Sequence, residues 1–262
     1  MLCSIIKLSC GKGRNALHTG ESNIQSLKEI RKELTRFMMS YKFGLDEMDT
    51  KIQILKEEFQ HIHDYNPIEH TKTRLKSPES IFKKITRKNI DFNLESIEHA
   101  IRDIAGIRIV CSFISDIYKI SDLLQNQKDV TVVECKDYIK NPKPNGYQSL
   151  HLIVKIPVYL SDQMKEVYVE IQIRTVAMDF WASLEHKIFY KYSKNVPEDL
   201  TKELKFTATV ASELDYRMEK LHKEINKLKE SEANEFDLLH SELNNEKYHI
   251  PIALLESFLG KE

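Results

Sequence analysis

Chemistry on a polyphosphate calls for cations to hold the phosphates and for carboxylates to hold a metal ion or take a proton. Four clusters in this chain have those residue types. Between Glu166 and Arg174, Val167, Val169, Ile171 and Ile173 alternate with Glu166, Tyr168, Glu170, Gln172 and Arg174. That period of two predicts a strand with one apolar face and one face of carboxylate, amide and guanidinium, more polar function than a surface strand needs. In TKTRLKSPESIFKKITRKN, Arg74 and Lys76 alternate in a short strand, and Ser77-Pro78-Glu79 is a helix start with Ser at the cap. Ser80, Lys84 and Arg87 follow at roughly helical spacing, so cations flank a helix N-terminus whose free N–H groups also favour anions. The plainer alternative is a solvated basic face. IRDIAGIRIVCSF predicts a strand carrying Asp103 and Arg108. Strict alternation puts the two on opposite faces unless Asp103 precedes the regular strand or a bulge falls near Gly106. The fourth cluster, KDYIKNPKPNGYQSLHLIV, sets Tyr147, Ser149 and His151 on one strand face beside a loop with Lys136, Lys140 and Lys143. A ring for a base and ammoniums for phosphates suit a nucleotide, although the Tyr could equally be packing.

The elements that must position these residues read as follows. Residues 1–21, with three glycines and no periodicity, read as a disordered lead. Ile24, Leu27, Ile30, Leu34, Met38 and Tyr41 form one helical stripe; Leu45, Met48, Ile52, Leu55, Phe59 and Ile62 form a second. With Gly44 between them, residues 22–65 are expected to form a helical hairpin. At its end, His63-Asp64 has the form of a metal-dependent phosphohydrolase seed, but no other His or Asp cluster at ligand-like spacing joins it, so it reads as a polar helix end. Residues 66–196 hold the four clusters, with a helix over Ile114 to Gln125 and a strand over Val130 to Cys135. After Arg174 the period changes: Val176, Ala177, Phe180, Trp181, Leu184 and Ile188 recur at helical spacing, with Asp179, Glu185 and His186 off the stripe. A long helix is expected from about Pro197 to Glu230, with a largely heptad seam through Leu204, Ala211, Leu214, Met218, Leu221, Ile225 and Leu228. Residues 231–262 read as a loosely attached polar tail with one short apolar helix, Ile252 to Leu259.

Bulk properties exclude several classes. Lys plus Arg is 39 against 40 acidic residues, a net charge of −1, so any phosphate-binding surface must come from local clustering. No apolar run approaches the length of about 20 residues that a membrane helix needs. The start has no convincing signal-peptide cleavage site, and the four cysteines are widely spaced without a CxxC pair, which fits free thiols in a reducing cytoplasm.

RLKSPESIFKK, RDIAGIRI, NGYQSLH and VEIQIRTVAMDFWASLEHKIFYK, in that order, resemble the synthetase domain of the RelA/SpoT family. The resemblance covers roughly residues 22–228 and is dense from Arg74 to Tyr192. A chain this short resembles a small alarmone synthetase, without the hydrolase domain of the long members and without hydrolase activity. It implies an α/β (α+β) fold, a mixed sheet flanked by helices and related to the nucleotidyltransferases. It also implies Mg²⁺-dependent transfer of the β,γ-pyrophosphate of ATP to the ribose 3′-hydroxyl of GDP or GTP, in the cytoplasm, by a homo-oligomer, a tetramer in many small members. Asp103 would hold the metal, with Glu170 as second ligand and general base. Arg74, Lys76, Ser80, Lys84 and Arg87 would take the ATP phosphates, and Arg74 and Arg108 the adenine, for which a planar guanidinium suits better than an ammonium. Tyr147 would stack on guanine, Lys136, Lys143 and His151 would take acceptor phosphates, and Gln172 and Arg174 would order the floor. Some relatives carry Asn, which reads the guanine edge, where this chain has Asp179. Two other readings remain: an oligomeric regulator that binds guanine nucleotides or single-stranded RNA with little catalysis, and a nucleotidyltransferase releasing pyrophosphate. The second would more often show an Asp-x-Asp pair, which the strand of Asp103 lacks.

Overall fold

The structure is a computed structural model, and it describes residues 19–63, 65–189, 197–232, 240–243 and 246–249. The chain divides into two units, residues 1–39 and residues 40–262. Of the first, the described part belongs to helix α1 (Thr19–Ile62), on which Leu27, Ile30 and Leu34 are exposed.

The second unit is built on a five-stranded sheet. In chain order it contains β1 (Ile68–Leu75), α2 (Pro78–Lys88), α3 (Leu94–Ala100), β2 (Ala105–Cys111), α4 (Ile114–Gln125) and β3 (Thr131–Asp137). Then come β4 (Leu150–Tyr159), β5 (Met164–Thr175), α5 (Val176–Phe189) and α6 (Glu198–Glu232). The spatial order is β1-β2-β5-β4-β3, with β2 and β5 parallel and every other neighbouring pair antiparallel. The mixed sheet is therefore present. Its central strands alternate as their sequences predict: Val169, Ile171 and Ile173 of β5 and Leu152, Val154 and Ile156 of β4 are buried on one face. Residues 170 and 172 on β5 face the other way and are only partly covered. Helix α4 lies against β2 and β5 and buries Ile117, Ile120 and Leu124 completely. Burial of such a side chain stabilises the fold by about 1.5–3 kcal/mol, so the apolar face alone anchors the sheet that carries the polar one.

The hairpin expected over residues 22–65 is not formed: α1 is one helix of 44 residues. Tyr41, Leu45, Met48, Ile52 and Phe59 are all buried, and their spacing of four, three, four and seven keeps helical phase straight through Gly44. Gly44 is a contact point instead of a break. A Cβ there would lie 3.1 Å from Val167 Cγ1, so the missing side chain lets the helix approach β5 closely. Helix α3 has no counterpart in the sequence reading; Asn93 caps it, its Oδ1 accepting from Ser96 N–H at 2.7 Å. In the tail, β6 (His240–Leu243) and β7 (Glu246–His249) pair as a two-stranded sheet. The helix expected over Ile252 to Leu259 and residues 1–18 of the expected disordered lead lie outside the described residues; residues 19–21 of that lead are instead the first residues of α1.

Candidate active site

The register of the sheet assembles the polar face. Lys72 pairs with Arg108, Arg108 with Gln172, Gln172 with His151 and His151 with Lys136. One row of side chains thus crosses all five strands. The next row pairs Arg74 with Gly106, Gly106 with Glu170 and Glu170 with Ile153. Gly106 has no side chain to fill the space between Arg74 and Glu170, and a cleft of about 220 Å³ opens over it. Lys72, Arg74, Lys76, Asp103, Arg108, Glu170 and Gln172 line that cleft.

Asp103 reaches the cleft because it precedes β2, in the turn after α3, which is one of the two arrangements that could unite it with Arg108. The turn is held by Lys76 N–H donating to the Ile104 carbonyl at 2.8 Å. Lys76 Nζ then lies 2.5 Å from Asp103 Oδ2, and Lys84 Nζ 2.7 Å from Oδ1. Helix α2 aims Lys84 there. Ser77 caps it, accepting from Ser80 N–H at 3.3 Å, Pro78 opens it, and Ile81 and Ile85 bury its opposite side. Burial disfavours the Asp103 carboxylate, but the two ammoniums outweigh burial and hold its pKa below the usual range. Burial also lowers the pKa of Lys76, with the Lys84 and Arg74 charges adding to the effect.

Glu170 stands in a ring of five side chains. Arg174 Nη2 donates to Tyr147 OH at 2.5 Å and to Gln172 Oε1 at 2.9 Å. Gln172 Nε2 donates to Glu170 Oε2 at 3.0 Å. Tyr147 OH lies 2.8 Å from His151 Nε2, and His151 Nδ1 lies 3.5 Å from Glu170 Oε1. A guanidinium only donates, so the Tyr147 oxygen accepts from it and its own proton goes to His151 Nε2. That assigns the proton of a neutral His151 to Nδ1, facing Glu170. Burial disfavours the Glu170 carboxylate; the His151 ring and the Gln172 amide outweigh it and keep the pKa below its usual range. Both cleft carboxylates are thus ionised at neutral pH.

Two of the expected residues acquire partners that their positions in the sequence do not reveal. Asp179, on the first turn of α5, places Oδ1 3.0 Å from both Arg108 Nη1 and Arg174 Nη1. Its charge is therefore compensated twice within the site. Tyr147 precedes β4, in a loop, instead of sharing a regular strand with His151. The loop turns at Gly146, whose φ of +92° is a left-handed conformation that a side chain resists, and a Cβ there would meet Ala208 Cβ at 2.5 Å. The Tyr147 ring consequently packs on the cluster of Trp181, Ala182 and Ala208, and Arg174 and Lys143 lie 5.0 and 4.7 Å from its centroid.

The remaining expected residues are more peripheral. Lys143 also stands 4.6 Å from the Tyr138 ring, and Tyr138 meets His151 edge-on at 5.2 Å. Lys136 is exposed and pairs with Glu134 at 2.9 Å. Ser80 and Arg87 belong to α2 but do not line the cleft, and Arg87 is exposed. Sequence reasoning passed over Lys72 and Tyr138. The alternation Lys72, Arg74, Lys76 signals the first; nothing local signals the second. The His63 ring lies 5.0 Å from that of Phe59, tilted by 42°, and Asp64 lies outside the described residues.

The arrangement can neutralise a polyphosphate from three elements, offer two ionised carboxylates to a metal and an acceptor hydroxyl, and present a tyrosine ring beside them. Comparison with known proteins gives the same direction. The family model described as the region found in RelA / SpoT proteins matches residues 73–195. The chain is 50% identical over 204 residues to the GTP pyrophosphokinase YwaC of Bacillus subtilis, covering 78% of this chain and 97% of that one. Its structure resembles small alarmone synthetase 2 of Bacillus subtilis, with a TM-score of 0.67, 52% identity, and coverage of 73% of this chain and 99% of the other. It also resembles small alarmone synthetase 1 of the same organism bound to its product pppGpp, with a TM-score of 0.68, 40% identity, and coverage of 74% and 98%.

Proposed function

The chain belongs to the RelA/SpoT family, and from that premise we propose how its cleft works. It is a GTP pyrophosphokinase that makes (p)ppGpp. The 3′-oxygen of GDP or GTP forms a bond to the β-phosphorus of ATP, the bond from that phosphorus to the bridging oxygen of the α-phosphate breaks, and AMP leaves. The observation that carries this reading is the pair of ionised carboxylates, Asp103 and Glu170, in a cleft lined by Lys72, Arg74, Lys76 and Arg108. A regulator that only bound guanine nucleotides or RNA would give those carboxylates no task.

In this reading Asp103 and Glu170 hold Mg²⁺. The fit rests on the donor set: two oxygen donors leaving room for water and phosphate oxygens is the environment that ion takes, and the ion would neutralise the triphosphate. Lys76 and Lys84, now on Asp103, would turn to the phosphate oxygens, with Ser80 and Arg87 of α2 beside them. Arg74 and Arg108 flank the adenine. On the acceptor side Tyr147 stacks on guanine, His151, Lys136 and Lys143 face its phosphates, and Gln172, Arg174 and Asp179 order the floor. Glu170 accepts the proton of the 3′-hydroxyl, a task its ionised state suits.

The reading extends to assembly as a homo-oligomer, a tetramer, working in the cytoplasm. Helix α6 supports it. Its inner side buries Ala208, Asp215 and Glu219, while Phe206, Val210, Leu214, Met218, Leu221, Ile225 and Leu228 are exposed along the other. Among the described residues no helix is long and apolar enough to cross a membrane. Incubation with labelled ATP, GDP and Mg²⁺ followed by product chromatography tests the reaction. AMP together with a 3′-pyrophosphorylated guanosine nucleotide is expected; release of free pyrophosphate with a nucleotidyl adduct would replace this reading with the nucleotidyltransferase one.

A further inference from the structure

Helix α6 contributes a buried carboxylate that none of the chemistry above employs. Asp215 is buried at the edge of an apolar groove between α5 and α6, lined by Val176, Trp181, Leu204, Val210, Ala211 and Leu214 among others. Burial pushes its pKa up to about 6, with the Glu219 charge adding. An apolar side chain would suit such a groove better, so a purely structural reason for a carboxylate is weak.

Its hydrogen-bonded partner among the described residues is informative. Asp215 Oδ2 accepts from the hydroxyl of Thr175 at 2.6 Å. Thr175 is fully buried at the end of β5, one residue after Arg174. The same hydroxyl oxygen accepts from Met178 N–H at 3.1 Å. Thr175 therefore caps α5, bonding the backbone three residues on. A hydroxyl rotates freely unless its proton has a fixed acceptor. Asp215 provides that acceptor and so turns a lone pair of the oxygen towards Met178. The next residue is Asp179, which grips Arg108 and Arg174.

The two guanidiniums depend on Asp179 unequally. Arg174 is held as well by Gln172, Tyr147 and Ser149. For Arg108, Asp179 is the sole ion-pair partner among the described residues, and its Nε is buried without a hydrogen-bond partner. We propose that Asp215 is a positioning residue for the ATP subsite, acting through the Thr175 hydroxyl, the first turn of α5 and Asp179 to set the plane of Arg108. The proposal rests on the assignment of Arg108 to the adenine.

The test compares KM for ATP, KM for GDP and kcat in the full-length Asp215→Leu, Thr175→Val and double variants, with Asp215→Asn and Thr175→Ser as conservative controls. Loss of a helix cap corresponds to a factor of about two to thirty, and KM for ATP is expected to rise by that much in both single variants. KM for GDP should rise less than KM for ATP, because Gln172, Tyr147 and Ser149 still hold Arg174 on the acceptor side, kcat should stay within about twofold, and the double variant should be no worse than either single one, because the two residues act as a unit. Asn and Ser, which keep an acceptor and a hydroxyl, should restore the ATP value. Equal changes in both KM values, a fall in kcat alone, additive effects or unchanged KM values would each overturn the proposal. Thr175→Val, nearly isosteric, decides the matter if Asp215→Leu does not fold. If the wild type makes no product, the pyrophosphokinase reading fails; calorimetric titration of the same variants with a non-hydrolysable ATP analogue still reads the positioning claim.

Discussion

Replacing Tyr147 by Phe removes one oxygen and leaves the ring, so it isolates the hydroxyl from the stacking surface. A ring-only role makes the Phe variant silent. The structure gives the hydroxyl two partners, Arg174 Nη2 at 2.5 Å and His151 Nε2 at 2.8 Å. Arg174 is 4% exposed and cannot replace the lost oxygen with bulk water, although Gln172 Oε1 remains to it at 2.9 Å. A hydrogen bond to a charged group contributes about 1.5–3 kcal/mol, and the surviving partner lowers the expected cost to about 1–2 kcal/mol. At about 1.4 kcal/mol per factor of ten, KM for GDP should rise roughly fivefold to thirtyfold. Tyr147→Ala should go further, losing a stacking contact of about 1–3 kcal/mol as well. It should also lower Tm, because the ring packs on Trp181, Ala182 and Ala208. Separate ATP and GDP titrations of both variants, with thermal melts, are the assay. A Phe variant indistinguishable from wild type would refute the role given to the hydroxyl. Equal losses for both nucleotides would mean that the ring is packing and not recognition.

Three further outcomes follow from the geometry. Asp215 titrates at about 6 when folded, because burial raises its pKa, and near about 4 when unfolded. The folded state thus holds this proton more tightly, and its contribution to stability is complete below about pH 4 and lost as the pH rises through about 6. The Tm of Asp215→Asn minus that of wild type should therefore be larger at about pH 7.5 than at about pH 4.5; a constant difference across that range would contradict the buried titration. Charged replacements at Met218 and Leu221, both about half exposed on α6, should reduce the mass measured by light scattering if that face joins subunits; an unchanged oligomer mass would remove the face from the interface. Gly44→Leu should lower stability by about 1–3 kcal/mol in denaturant melts, since even a Cβ meets Val167 Cγ1 at 3.1 Å; a neutral result would show that the helix can shift away.

The polar face of the sheet was legible because its signal is local. The alternation through Glu170, Gln172 and Arg174 marks both the strand and the side that carries the cleft, and Ser77-Pro78 marks the helix that brings Lys84 to Asp103. What the sequence could not fix is what joins distant segments. That Asp179 pairs with Arg108, 71 positions earlier, depends on β2 and β5 lying side by side in register. The ring from Arg174 through Tyr147 and His151 to Glu170 likewise needs the β4–β5 pairing and the Gly146 turn. Helix α6 lies where its pattern placed it, but the pattern did not show all of its inner side: the heptad seam packs inward at Leu204 and Ala211 and is otherwise exposed, while the residues facing the domain include Asp215 and Glu219, which no apolar pattern picks out. The hairpin at Gly44 was a misreading of a glycine in a helix. The stripe from Tyr41 to Leu45 keeps phase, and a glycine on a stripe is as consistent with close packing as with a turn.

The central claim is that Asp103 and Glu170 are the carboxylates on which pyrophosphoryl transfer depends. The rate of AMP and (p)ppGpp formation by Asp103→Asn and Glu170→Gln tests it most directly, since each swap keeps the shape of the side chain and removes its charge. With unchanged thermal melts as the check on folding, each variant should lose activity by at least about a hundredfold, the lower bound for removal of a general base. Turnover near the wild-type rate in either folded variant would contradict the assignment of that carboxylate.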